Sequence, residues 1–234
     1  MDSKVKRAIA IIPARGGSKR VPRKNIRLFC DTPIIAYSIK AAQGSGCFDK
    51  ILVSTDDAEI AEIAKRYGAE VPFFRSAENS QDMSMTVDVL LEVLAKFRGV
   101  GEDFSFCCCI YPTAPFVSAA RLKEGLDRLV SSGAQSVFPV VRFGYPIWRG
   151  LKIEAGKVGM IWPENYSVRS QDLEPTYHDA GQFYWTQVDA LMRQKKIFME
   201  HSVAIELQES EVQDIDTEED WTMAELKFKM LRLR

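Results

Sequence analysis

The stretch Pro13 to Asn25 holds five basic side chains (Arg15, Lys19, Arg20, Arg23 and Lys24), the adjacent glycines Gly16 and Gly17, and no acid. It follows directly on the apolar run of residues 8–12. A buried strand that runs into a glycine-containing cationic loop can hold a polyphosphate. Glycine lets backbone N–H groups approach phosphate oxygens, and Arg and Lys neutralise the charge from the rim. A solvated basic loop is the plainer alternative, and the strand before it and the glycines inside it weigh towards the phosphate. The loop matches neither Gly-x-Gly-x-x-Gly nor Gly-x-x-x-x-Gly-Lys-Ser/Thr, so the usual dinucleotide and P-loop chemistries are excluded.

A second signal is Asp214-Ile215-Asp216. Residues two apart on an extended segment share a face, so both carboxylates can converge on one hard cation such as Mg²⁺, with substrate phosphates completing its shell. The alternative is a solvated acidic patch, since Glu209, Glu211, Glu218, Glu219 and Asp220 are neighbours. A polyphosphate loop elsewhere in the chain tips the balance to the metal.

The elements that must position these residues read as strand, loop, helix in repetition. Residues 8–12 are apolar on both faces, as a central parallel strand requires. A helix opened by Pro33 and ended by Gly44 and Gly46 follows, then a buried strand at 51–55. Asp56-Asp57 leads into a helix closed by Gly68, and 70–74 is read as a short strand. A helix at 85–97, a strand at 104–111, a helix capped by Ser118 and a strand at 136–141 continue the pattern. The spacing predicts an α/β fold with a mostly parallel central sheet and helices on both faces. Residues 181–185 and 203–207 return as strands, the latter at an edge. Thr217-x-x-Asp220 caps a last helix whose buried stripe is Trp221, Ala224, Phe228 and Leu231. Ligands in such sheets bind beyond the carboxyl ends of the strands, where the basic loop, Thr55-Asp56-Asp57 and Tyr111-Pro112-Thr113 fall.

Between 142 and 176 Gly144, Pro146, Gly150, Gly156, Gly159 and Pro163 break the pattern into short extended pieces at 147–153 and 157–161. This is a small β-rich excursion within a single domain spanning 1–234. Its Tyr145, Ile147, Trp148, Ile161 and Trp162 read either as a subunit contact or as cover for the core.

The 31 basic and 32 acidic residues give a net charge of −1, which removes a global electrostatic case for nucleic acid or membrane partners. No apolar run has the roughly 18 residues of a membrane span, and the N-terminus shows no apolar signal core, so a cytoplasmic protein is expected. Cys107, Cys108 and Cys109 are consecutive, with no Cys-x-x-Cys spacing. Neighbours on a strand face opposite ways, so the triplet reads as small buried hydrophobes rather than a metal site.

Residues 11–25, Ile-Ile-Pro-Ala-Arg-Gly-Gly-Ser-Lys-Arg-Val-Pro-Arg-Lys-Asn, resemble the signature of the CMP–sugar-acid synthetases, the acylneuraminate cytidylyltransferase family. Arg75 with Asp82, Arg169-Ser170-Gln171-Asp172 and Asp214-Ile215-Asp216-Thr217 resemble further family elements. Residues 106–116 and 177–185 resemble the branch that activates pseudaminic acid. Sialate-activating members usually carry Gln where this chain has Tyr111. The resemblance implies a Rossmann-like nucleotide-diphospho-sugar transferase fold. It implies CTP and a nine-carbon acid sugar as substrates, Mg²⁺ or another divalent cation, a homodimer, and a place in flagellin glycosylation or surface polysaccharide assembly. It assigns Ala14, Arg15, Gly16, Gly17, Ser18, Lys19, Lys24, Asn25, Arg75 and Asp82 to the nucleotide. Arg15, Lys19, Lys24 and Asp216 would be the catalytic set, and Asp214 and Asp216 the metal ligands. Tyr111, Thr113, Arg169, Gln171, Gly181, Gln182 and Tyr184 would meet the sugar. His178 is left open between a base and a ring hydrogen-bonded for structure. Legionaminate, N-acetylneuraminate or an eight-carbon acid are the alternative acceptors, and a polyanion-binding module is the distant one.

Overall fold

The computed structural model describes residues 7–232. Its sheet is built from β1 (Ala8–Pro13), β4 (Lys50–Ser54), β5 (Phe106–Ile110), β6 (Ser136–Arg142), β10 (Phe183–Gln187) and β11 (Ser202–Leu207), in the order β11-β6-β10-β5-β1-β4. A short strand, β9 (Tyr177–Asp179), pairs with β6. Two hairpins stand apart from this sheet: β2 (Leu28–Phe29) with β3 (Thr32–Pro33), and β7 (Leu151–Glu154) with β8 (Lys157–Met160). The helices are α1 (Ile35–Ser45), α2 (Ala58–Arg66), α3 (Thr86–Gly99), α4 (Ala119–Ser132), α5 (Val188–Gln194) and α6 (Glu218–Arg232).

Strand β1 is parallel to β4 and to β5, and β11 is parallel to β6. Strand β10 runs antiparallel to both β5 and β6, so β1, β4, β5, β6 and β11 all end at one edge of the sheet, where β10 begins. The chain passes from β1 to β4 on one side and later to β5 on the other. The crevice between β1 and β5 is therefore a switch point, the place where open α/β sheets take their ligands.

Alternation along the strands sorts the core into two layers. Ala8, Ala10 and Ile12 pack under α1, α2 and α4, whereas Ile9 and Ile11 pack under α3 and α5. The cysteine triplet is fully buried and split between the two layers, and burial pushes all three thiols up, Cys107 to about 12. A third cluster joins Val21 of the basic loop to Phe29, Ile34, Ile215, Trp221, Ala224 and Phe228. It fastens the loop to the Asp-x-Asp segment and to α6.

Several expectations need correction. The 70–74 strand reduces to a single bridge from Glu70 to Leu52, because Pro72 has no N–H to extend a ladder. Helix α1 runs through Gly44 and stops at Gly46, whose φ of 64° supplies the left-handed C-cap. Pro33 lies in β3, ahead of the helix rather than at its first turn. In the excursion, Ile147–Arg149 is a 3₁₀ turn and the strand begins at Leu151. Helix α5 and strand β9 were not anticipated.

Candidate active site

The basic loop leaves the end of β1 and folds back on itself. Asn25 is buried, and its Nδ2 donates to the Arg15 carbonyl at 2.8 Å. The Gly16 amide donates to Asp56 Oδ1 at 2.9 Å, and the Ser18 amide to the Gly16 carbonyl at 3.0 Å. These two amides are engaged within the protein. The loop turns the side chains of Arg15, Ser18, Lys19, Arg20 and Lys24 to one cavity. Gly16 is still sterically required, because a Cβ there would sit 2.7 Å from Asp57 Oδ2. Nothing lies within 4 Å of the corresponding position at Gly17.

Arg15, Ser18, Lys19, Arg20, Lys24 and Asn25 line a cavity of about 420 Å³ with Arg75, Asp82, Thr86 and Tyr111. Arg23 is not among its lining residues. It adopts φ 54° and pairs with Asp57 at 2.5 and 3.1 Å and with Glu59. Asp57 also caps α2, accepting from the Ile60 amide at 3.0 Å, and the Arg23 hydrogen bond holds its carboxyl below the usual range. Ala14 is fully buried below the cavity.

The cavity cations are met by two carboxylates. Asp82 accepts from Arg15 at 2.6 Å and from Lys19 at 2.5 Å. Asp216 accepts from Arg20 at 2.8 Å and stands 3.5 Å from Lys24, whose ammonium also donates to the Ile215 carbonyl at 2.5 Å. Arg75 is buried, with Nε on Ser54 Oγ at 3.2 Å and Nη2 on the Ser54 carbonyl, and burial lowers its pKa.

A second cavity of about 390 Å³ is lined by Tyr111, Val141, His178, Asp179, Ala180, Gly181, the 209–214 segment and Lys227 of α6. Tyr111 is, among the described residues, the one that borders both cavities. Its ring packs 5.3 Å from Tyr184, and its hydroxyl lies 3.4 Å from Thr86 Oγ1. Tyr184 is buried and donates to Asp179 Oδ2 at 2.5 Å. Burial pushes both phenols upward, so each remains a hydrogen-bond donor near neutral pH. His178 Nδ1 lies 2.9 Å from the Asp179 carbonyl, which can only accept, so that ring nitrogen is the donor.

Of the residues assigned to the sugar, Tyr111 and Gly181 border the second cavity. Gln182 and Tyr184 support it from beneath, Gln182 by donating to the Glu211 carbonyl at 2.6 Å. Thr113 borders neither cavity. Arg169 and Gln171 are exposed on the excursion, where Arg169 pairs with Asp172 at 2.7 Å, and the chain brings neither to a cavity of its own.

Asp214 borders the second cavity, and Asp216 faces the basic loop. Ile215 between them is buried in the third apolar cluster. No cluster of three or more His, Cys, Asp or Glu among the described residues could hold a metal. Two hard carboxylate donors beside a cationic cavity are a donor set that would suit Mg²⁺, which takes one or two carboxylates plus phosphate oxygens. Sequence reasoning missed Lys227, Thr86 and the partner of Asp56, the Gly16 amide. Their contacts span long separations along the chain, and no local pattern marks them.

The cytidylyltransferase family profile matches residues 9–227. A pseudaminic acid cytidylyltransferase of Campylobacter jejuni is 39% identical over 223 residues, covering 95% of this chain and 96% of the relative. The CMP-N,N'-diacetyllegionaminic acid synthase of Legionella pneumophila is 33% identical over 94% of this chain and 95% of its own length. Among solved structures, a CMP:2-keto-3-deoxy-manno-octonic acid synthetase complexed with CTP superposes with a TM-score of 0.72 at 14% identity, covering 98% of this chain and 100% of that one. At that identity the likeness speaks for the fold alone.

Proposed function

The chain belongs to the cytidylyltransferase family, and from that premise we propose that it transfers the cytidylyl group of CTP to pseudaminic acid, giving the CMP-sugar and pyrophosphate. The observation that carries this reading is the pair of cavities meeting at Tyr111, one ringed by Arg15, Lys19, Arg20 and Lys24, the other uncrowded by cations. The triphosphate of CTP occupies the first. The acid sugar occupies the second, with its anomeric hydroxyl towards Tyr111.

The hydroxyl oxygen attacks the α-phosphorus in line, the bond from that phosphorus to the β-phosphate oxygen breaks, and pyrophosphate leaves. Such a transfer asks the protein for positioning and charge neutralisation. Arg15 and Lys19 must exchange Asp82 for phosphate oxygens. Lys24, tied to the Ile215 carbonyl, is held where the loop meets the Asp-x-Asp segment. Asn25 keeps the loop closed through the Arg15 carbonyl. Asp214 and Asp216 would hold a divalent cation, which supplies Lewis-acid stabilisation of the charge on the transferring phosphate. Arg75, buried in the wall of the same cavity, would meet the nucleotide.

The exposed excursion is the surface a second copy of the chain would cover, and Arg169 and Gln171 stand on it. No helix of the described residues is long and apolar enough to cross a membrane.

Pyrophosphate release with CTP across pseudaminate, legionaminate, N-acetylneuraminate and an eight-carbon acid tests the acceptor. Pseudaminate is expected to give the highest kcat/KM. Turnover with neuraminate alone would reject it, and release with none of the acids would reject the whole reading.

A further inference from the structure

The second cavity contains one Lys or Arg side chain, Lys227, which the reading above leaves without a task. Its ammonium donates to the Val212 carbonyl at 3.1 Å and to the Glu209 carbonyl at 3.4 Å, both from residues of the same cavity wall. Among the described residues no carboxylate lies within ion-pair distance of it. An ammonium has three donors, and two carbonyls leave one of them unused and the unit charge unpaired.

The remaining charged groups of the cavity are the carboxylates of Asp179, Glu209 and Asp214. Asp179 is already engaged, with Oδ1 accepting from the Gly181 amide at 3.1 Å and Oδ2 from Tyr184. With Asp214 assigned to a divalent cation, Asp179 and Glu209 still repel an anionic sugar entering the cavity unless a cation on the wall receives its charge. Lys227 is the cation in place to do so.

We propose that Lys227 is the carboxylate receptor of the second cavity, binding the C1 carboxylate of the sugar acid through its unused N–H. The proposal rests on that cavity being the sugar site. In such acids the carboxylate is bonded directly to the anomeric carbon. A cation that fixes it also fixes the attacking hydroxyl relative to the α-phosphorus, so Lys227 sets acceptor affinity and selects acids over neutral sugars. Helix α6 thereby contributes at its start and in its third turn: its capped start follows Asp216, and its third turn carries Lys227.

A purely structural role, clamping the 209–212 turn on α6, makes a different prediction. The test compares wild type, Lys227→Met and Lys227→Arg with the sugar acid and with its C1 carboxamide, by pyrophosphate release. KM for CTP and thermal midpoints are measured in parallel. Losing a charge-assisted hydrogen bond should raise KM for the acid by about 10- to 100-fold in Lys227→Met, with KM for CTP changed by less than about twofold. Lys227→Arg should recover most of the loss. With the carboxamide, wild type and Lys227→Met should perform alike. An equal loss with acid and carboxamide, or no loss with the acid, overturns the proposal. Absence of release from wild type with every acid overturns the sugar-site reading and this proposal with it.

Discussion

Asp82 and Asp216 stand in the same relation to the basic loop, each neutralising two of its cations, yet they should respond oppositely to loss of charge. Asp82 is exposed, and its contacts are the two cations that the triphosphate needs. Lys19 first and then Arg15 hold its carboxyl below the usual range. Asp82→Asn removes this competitor without touching the cavity floor. An exposed pair is a weak one, so CTP should bind about two- to fivefold tighter in calorimetry, and inorganic pyrophosphate should inhibit more strongly. Weaker binding would mean that Asp82 contacts the nucleotide itself. Asp216→Asn frees Arg20 and Lys24 in the same way but removes a hard metal ligand. Turnover should fall by about 10²-fold or more while CTP affinity measured without divalent cation does not weaken. Near-normal turnover in saturating Mg²⁺ would sink the metal assignment.

The segment carrying Asp82 is placed by α3. Glu92 accepts from the Ser76 amide at 3.0 Å, Ser76 Oγ at 2.9 Å, Asn79 Nδ2 at 2.6 Å and Lys96 at 2.6 Å. Burial pushes this carboxyl up, but the hydrogen bonds from Lys96, Asn79 and Ser76 outweigh it and hold the group at about 2, against 4.5 for an ordinary Glu. The folded value lies below the unfolded one, so the stability Glu92 contributes is complete above pH 4.5 and is lost as pH falls towards 2. Glu92→Gln should therefore cost about 1–3 kcal/mol near neutral pH and flatten the acid limb of the stability–pH curve, measured by urea unfolding. Amides of 76–80 should also exchange faster. A curve parallel to that of wild type would reject this anchoring role. None of this was legible beforehand, whereas the local devices were. The strand before the basic loop, the Ser118 cap and the reciprocal Thr217–Asp220 box each lie within a few residues and obey local rules. Glu92 to Ser76, Asp56 to Gly16 and Lys227 to the 209–212 turn depend on how elements dock, which hydrophobic periodicity does not encode. Helix α5 escaped notice because its two short turns carry no full amphipathic repeat.

At the scale of the molecule, the β7–β8 hairpin is the part whose surface does not suit a lone chain. Its register sets Leu151 opposite Met160 and Ile153 opposite Val158, so alternation gathers these four apolar side chains on one face. Ile153 is 74% exposed, Val158 64% and Leu151 62%, with Tyr145 nearby in sequence at 91%. A two-stranded ribbon is marginal in water, and one that shows its apolar face gains by covering it with a matching surface. In the dimer proposed above, a second copy would offer that surface through a two-fold contact, in which the same patch meets itself. The double variant Ile153→Asp/Val158→Asp should convert a dimer to a monomer by light scattering, with little change in the thermal midpoint of the main sheet, since neither residue contributes to its core. If Arg169 and Gln171 act across that contact, the monomer should bind CTP normally but show KM for the sugar acid raised about tenfold or more, the cost of losing a bidentate carboxylate or hydroxyl contact. A wild-type chain that scatters as a monomer at micromolar concentration would remove the interface. A monomeric variant with an unchanged sugar KM would keep the interface but return Arg169 and Gln171 to the solvent.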